Sequence, residues 1–242
     1  MRFTSQASTD GVIEQSFTLG EIPGVLFTPP AAAGSRPLIL VGHGGGMHKR
    51  APAVLAGARR YARTGFAVAA IDAPNHGDRP KAEGFVSLAT EMRSRMAAGE
   101  DPAALVAAMH ELLAEQAVAD WQAVLDALEQ VDHVGAGPVG YWGMSMGCGL
   151  GVPLVAAEPR IGAAVIGLLG VTGLAETAAK ITVPVRFLLQ WDDTRVRRDQ
   201  ALALFDALGS AEKTLHANPG DHGDIPDFET DSALRFFTRH LG

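Results

Sequence analysis

Five short, almost uninterrupted apolar runs, at residues 38–42, 66–71, 139–142, 163–169 and 185–189, punctuate a chain whose intervening segments have helical spacing. A run this short and this apolar is buried on both faces, which is the condition of a strand in a parallel sheet covered by helices. Residues 213–217 can add one more strand, and helices are predicted at 52–63, 102–130, 146–157, 197–208 and 227–240. Strand then helix, repeated, gives an α/β fold with a doubly wound, mostly parallel sheet. Residues 12–19 and 22–28, joined through Gly20 and Glu21, read as a hairpin that makes an antiparallel edge. At 242 residues the chain suffices for one domain with a single large core; the 29–37 stretch, bounded by prolines, is its one linker-like segment.

The helix at 102–130 is well signalled: Asp101 can cap it, Pro102 suits its first turn, and Leu105, Met109, Leu112, Trp121, Leu125 and Leu128 recur at helical spacing. Upstream the pattern is weaker (Phe85, Leu88, Met92, Met96), and residues 80–117 are read as a small helical cap inserted between a strand end and the body. The helix at 146–157 contains Gly147, Gly149, Gly151 and Pro153. An interior proline costs about 3 kcal/mol, so a kink or an irregular first turn is expected there.

Gly143-Met144-Ser145-Met146-Gly147 directly follows the apolar run ending at Trp142. A serine on a tight strand-to-helix turn, with glycines two residues to either side, presents its hydroxyl to solvent as a nucleophile. Immediately after the first apolar run stands His43-Gly44-Gly45-Gly46, whose bare backbone N–H groups can hold an oxyanion. The donors are read as the amide of Gly45, or of Gly44, together with that of Met146. The plainer alternative is a glycine-rich turn that only lets a strand enter a helix. A serine hydroxyl also needs an imidazole to take its proton and a carboxylate to orient that imidazole. Both follow later strands: Asp192 and Asp193 come after the run at 185–189, and His222 after 213–217. His222 is the predicted base. His216 falls within a strand, His240 near the end of the last helix, and His48, His76, His110 and His133 precede the serine, so they are assigned structural or surface roles.

Upstream glycines, serine elbow, acid and histidine, in that order, resemble the α/β-hydrolase superfamily, and within it the small dienelactone-hydrolase-like and esterase- or peptidase-like members, over residues 12–242. The family's acid commonly lies in a Gly-x-x-Asp-x-x-Val turn. Residues 190–196 fit it with Gln190 in place of glycine, and the resemblance therefore implies Asp193 as the acid. The turn at 72–77 also looks familial, with Asp72 and His76 shaping the loop under the cap. The implied function is a serine hydrolase that cleaves carboxylic esters of small acyl substrates through Ser145, His222, Asp193 and an acyl-enzyme, without a cofactor. A peptidase or amidase of the same fold is the alternative, and a catalytically silent binding module is the alternative of another class. Dienelactone hydrolases proper use cysteine as nucleophile, but the elbow here holds serine, and Cys148, three residues on, reads as a small buried thiol.

A net charge of −7 without a basic block disfavours nucleic acid and anionic lipid as partners, and no apolar stretch reaches the ~18 residues of a membrane span. One cysteine excludes an internal disulfide framework, and the polar residues 1–10 lack a signal-peptide core, so a cytoplasmic location is expected. His43, His48, His76 and Asp72 lie near strand ends but lack metal-ligand spacing, and no metal is assigned. The substrate pocket is expected to be bounded by residues 80–117, the loop after Gly170, and Met47, Met144 and Met146, giving an adaptable apolar lining for a small-molecule ester. A homodimer is common among soluble enzymes, though no residue selects it.

Overall fold

In the computed structural model, which describes residues 1–30 and 34–242, the apolar runs become the middle of a nine-stranded sheet; the linker at 29–37 lies partly outside the described residues. In chain order the elements are β1 (Arg2–Thr9), β2 (Val12–Leu19), β3 (Ile22–Thr28), β4 (Leu38–Gly42), α1 (Pro52–Arg63), β5 (Ala67–Ile71), α2 (Glu83–Ala97), α3 (Ala103–Glu129), β6 (Val139–Met144), α4 (Met146–Ala157), β7 (Ile161–Gly167), α5 (Ala175–Ala178), β8 (Val185–Gln190), α6 (Arg198–Ala207), β9 (Lys213–Asn218) and α7 (Phe228–Leu241). The sheet order is β1-β2-β3-β5-β4-β6-β7-β8-β9. Pairing is antiparallel from β1 to β5 and parallel from β5 to β9.

Side-chain alternation along each strand divides the core between the two faces of the sheet. Leu38, Leu40, Val139 and Tyr141 face one side, where Trp121, Val124, Leu125 and Leu128 of α3 and Val152 of α4 cover them. Ile39, Val41 and Met144 face the other, under Val54, Ala58 and Tyr61 of α1 and Ala233 and Phe237 of α7. A third, smaller cluster joins Phe85 of α2, Met109, Leu113 and Ala117 of α3, and Met146 and Leu150 of α4.

One expectation is corrected here. The antiparallel edge is β1, not the β2–β3 hairpin. Its side chains are exposed along nearly the whole strand, so it carries no buried stripe to read, and the Asp10-Gly11 turn that joins it to β2, with φ of 51° and 72°, was its one local signal. Residues 83–97 form a full helix despite their weak pattern, because only Phe85 is buried and the rest meets solvent or a cavity. The helix expected over 102–130 is α3, which packs on α2 and α4 with its first half and on the sheet with its second. The helix expected at 146–157 is α4, which continues through Pro153 to Ala157; nearly all its residues are buried, and that packing outweighs the one lost hydrogen bond.

The chain enters the parallel sheet at β4, crosses to β5 on one side, then returns to β6 on the other side of β4. The carboxyl ends of β4 and β6 therefore diverge into different loops at the reversal of strand order, with Gly42 paired to Gly143. In open α/β sheets this is where ligands bind.

Candidate active site

Ser145 occupies the turn between β6 and α4 with φ 57° and ψ −120°, a left-handed conformation that a non-glycine residue holds only where its surroundings enforce it. The enforcement is visible. The Ser145 amide donates to Gly167 O at 3.0 Å, and a Cβ on Gly143 would stand 2.5 Å from Gly147 O, as would one on Gly147 from Gly42 O. Glycine at both positions is what lets β4, β6 and α4 meet closely enough to crease the chain at the serine.

His222, in the loop after β9, faces Ser145 Oγ through Nε2 at 3.0 Å and Asp193 Oδ2 through Nδ1 at 2.7 Å. A carboxylate only accepts, so Nδ1 carries the proton and Nε2 is left to accept from the serine hydroxyl. The Asp193 side chain is 2 % exposed, and its Oδ1 accepts from the amides of Arg195 and Val196 at 2.8 and 2.9 Å. Asp192, the other candidate acid, instead accepts from the Gly220 amide at 3.3 Å.

Residues that sequence reasoning passed over hold the acid and histidine loops together. Asp221 Oδ1 accepts from both the amide and the hydroxyl of Thr194 at 2.8 Å, and the amides of Thr194 and His222 are the main reason its carboxyl is pulled down to about 2. Gln190, which replaces the expected glycine, is fully buried and donates from Nε2 to Asp224 O at 2.8 Å, fastening the far end of the His222 loop. The mismatch with the glycine pattern was the available signal: a buried amide at a strand end needs partners, and the next loop supplies acceptors for its Nε2.

The glycine loop after β4 is fixed by its own histidine. The Ala73 amide donates to His43 Nε2 at 3.0 Å, so Nδ1 carries the proton and donates to Gly44 O at 2.9 Å. Gly44 O also accepts from the Met47 amide at 3.1 Å. In a trans peptide the N–H points opposite the carbonyl, so pinning Gly44 O aims the Gly45 N–H the other way. Gly45 lies against Met146, where a Cβ on the glycine would come 3.8 Å from Met146 Cβ. Among the described residues neither the Gly45 nor the Met146 amide has an acceptor. Desolvation by burial drives the His43 pKa down to about 4, so the ring is neutral.

Ser145, His222, Gly45, Met47 and Met146 all line one cavity of about 560 Å³, roofed by Phe85, Met92 and Met96 of α2 and by Val106, Met109 and Leu113 of α3. Gly44 does not line it. Met144, expected in the pocket, is corrected: it is buried on the opposite face of the sheet with Val41 and Val165, because alternation along β6 turns it away from the face that carries Gly143.

The groups of the metal alternative are engaged separately. Asp72, fully buried, accepts from the Lys49 amide and ammonium at 2.8 and 2.7 Å and from the Asp78 amide at 2.9 Å. Burial alone would raise its pKa, but these donors hold it below the ordinary carboxylate value. His76 Nδ1 donates to Pro74 O at 2.9 Å, and His48 Nδ1 accepts from the Arg50 amide at 3.2 Å. Cys148 is buried inside α4, where desolvation pushes its thiol up to about 12, far from a reactive thiolate. Among the described residues no helix is long and apolar enough to cross a membrane.

The sequence model of the dienelactone hydrolase family matches residues 22–218. Among solved structures, a cold-adapted esterase from an Arctic intertidal metagenomic library, bound to polyethylene glycol, is 34 % identical, with each chain covered in full and a TM-score of 0.81. A dienelactone hydrolase from Anabaena variabilis is 20 % identical, with 96 % of this chain and all of that one covered and a TM-score of 0.67. An acetyl xylan esterase from Thermoanaerobacterium is 15 % identical, with 98 % of this chain and 87 % of that one covered and a TM-score of 0.72. These last two share the fold. No curated protein matches.

Proposed function

The chain belongs to the dienelactone hydrolase family, and from that premise we propose that it is a serine hydrolase of carboxylic esters in which Ser145, His222 and Asp193 form the catalytic triad. The family and the esterase of 34 % identity support ester hydrolysis. One observation carries the serine mechanism: the continuous row Asp193 Oδ2, His222, Ser145 Oγ, with links of 2.7 and 3.0 Å, at the floor of an apolar cavity.

Ser145 Oγ attacks the ester carbonyl while His222 Nε2 takes its proton, and Asp193 holds the ring by Nδ1–H and stabilises the imidazolium that forms. The charge that develops on the carbonyl oxygen is met by the amides of Met146 and Gly45, the latter preferred over Gly44 because its peptide is pinned by His43 and lines the cavity. His222 returns the proton to the departing alcohol, and water then repeats the sequence to free the acid. Residues 80–117 act as a cap that encloses the apolar part of the ester over Ser145, tied down by the buried Arg79–Asp120 ion pair.

A fluorophosphonate probe followed by peptide mapping tests the assignment, with covalent modification at Ser145 expected. p-Nitrophenyl esters of rising chain length, run beside aminoacyl nitroanilides, then separate esterase from peptidase. An unlabelled, inactive native protein refutes the serine mechanism and favours a binding module.

A further inference from the structure

His110, on α3, is only 8 % exposed, yet among the described residues its ring has no hydrogen-bond partner. The other buried imidazoles are held by the backbone: His43 through both nitrogens to Ala73 and Gly44, His76 through Nδ1 to Pro74. His110 instead lines the cavity that holds Ser145 and the small adjoining one of about 60 Å³, amid Val106, Leu113 and Leu169. Its Cγ, Nδ1 and Cε1 atoms occupy the space where a side chain on Gly149 would stand, so the absence of a side chain there is what admits the ring. The Gly149 amide in turn donates to Ser145 O at 3.0 Å, so the glycine that the imidazole packs against lies one helical turn, about 5.4 Å of rise, after Ser145.

On the strength of the Ser145 reading, we propose that His110 is a specificity-determining residue whose imidazole hydrogen-bonds an uncharged oxygen, carbonyl or hydroxyl, in the longer arm of the ester, so that the site takes oxygenated esters over plain alkyl ones. Burial holds the His110 pKa down to about 4, so near neutrality the ring offers one N–H donor and one nitrogen acceptor and bears no charge. A carboxylate would have to draw a proton onto a desolvated ring, whereas a ketone or hydroxyl needs only the hydrogen bond that no protein group makes. A buried polar group left unpaired by the wrong substrate discriminates strongly, more than an apolar pocket discriminates one methylene from another.

The test compares kcat/KM for p-nitrophenyl 5-oxohexanoate with p-nitrophenyl hexanoate, and for 5-oxohexyl butyrate with hexyl butyrate, so that the oxygen is offered on either arm. The wild type favours the oxygenated ester by about tenfold in at least one pair. In His110→Leu that ratio falls to near one, and at least one of His110→Gln and His110→Asn, which keep a donor and an acceptor, restores part of it. Thermal melting verifies that each variant folds. Equal wild-type rates on both members of both pairs, or a preference that survives His110→Leu, overturns the proposal while leaving Ser145 untouched. A wild type that hydrolyses none of the four and resists fluorophosphonate labelling overturns the serine reading and this one with it.

Discussion

His216 and His222 lie six residues apart on the same strand and its outgoing loop, each beside a carboxylate, yet they are chemically different objects. His222 has Asp193 on one nitrogen and a hydroxyl on the other, and it opens onto a cavity. His216 has a guanidinium instead: Arg186 Nη2 donates to its Nδ1 at 2.8 Å, while the buried Glu229 accepts from Arg186 at 2.5 Å and lies 3.6 Å from the imidazole. Desolvation first, and then the Arg186 charge, lower the His216 pKa. An imidazole beside a fixed cation serves as an acceptor and braces α7 against the sheet. Histidine plus acid therefore does not make a catalytic base; the third partner and the access to substrate do.

Replacing the third partner is the most direct way to break the comparison. Ser145→Ala should lower kcat by about 10⁵-fold or more with the fold retained, since a triad member acts as part of a unit. Asp193→Asn should cost about 10³- to 10⁴-fold by freeing the wrong tautomer, while Asp192→Asn, which touches only Gly220, should cost less than tenfold. Steady-state kinetics on a p-nitrophenyl ester measures all three. Equal losses at Asp192 and Asp193 would mean that the hydrogen-bonded row is not what drives the reaction.

The bracing cluster should answer to stability instead. Glu229 is 2 % exposed, and removing it strands the buried Arg186, so Glu229→Ala should cost about 3–5 kcal/mol in urea unfolding. Activity per folded molecule should change only a few-fold. A variant that keeps its stability but loses turnover would show that the two histidine settings are not separate.

That division also explains what could be read in the residues. Ser145, Asp193 and His222 were legible because each follows an apolar run on the same side of the sheet, and a parallel sheet brings successive carboxyl ends to one edge. Strand bounds mostly held within two residues, since runs such as Val185–Gln190 are buried throughout and announce themselves. What escaped depended on three-dimensional neighbours. β1 has no buried stripe, Met144 is apolar on whichever face it lies, and the tie between Thr194 and Asp221 joins loops 27 residues apart. Nothing local distinguishes His43, which pins the glycine loop after β4, from His76 or His110. Their roles follow from which backbone groups the fold leaves facing each ring.

The smallest expected effect separates imidazoles that move protons from those that must stay dry. His43 and His110 have folded pKa values of about 4, against ~6.5 for a free imidazole, so between these values the unfolded chain binds more protons than the native one. Their contribution is therefore complete above about pH 6.5 and is lost as pH falls toward 4. At pH 5 each ring withholds about 2 kcal/mol, and melting should drop by roughly 8–16 °C between pH 7 and pH 5 if both act together. His110→Leu should make that fall shallower, because it deletes one of the desolvated rings, while His43 stays and His76 and His216, also lowered by burial, remain. A slope identical in wild type and His110→Leu would mean that this ring is hydrated in solution and titrates like a free imidazole, and the contrast between wet and dry histidines would lose one of its members.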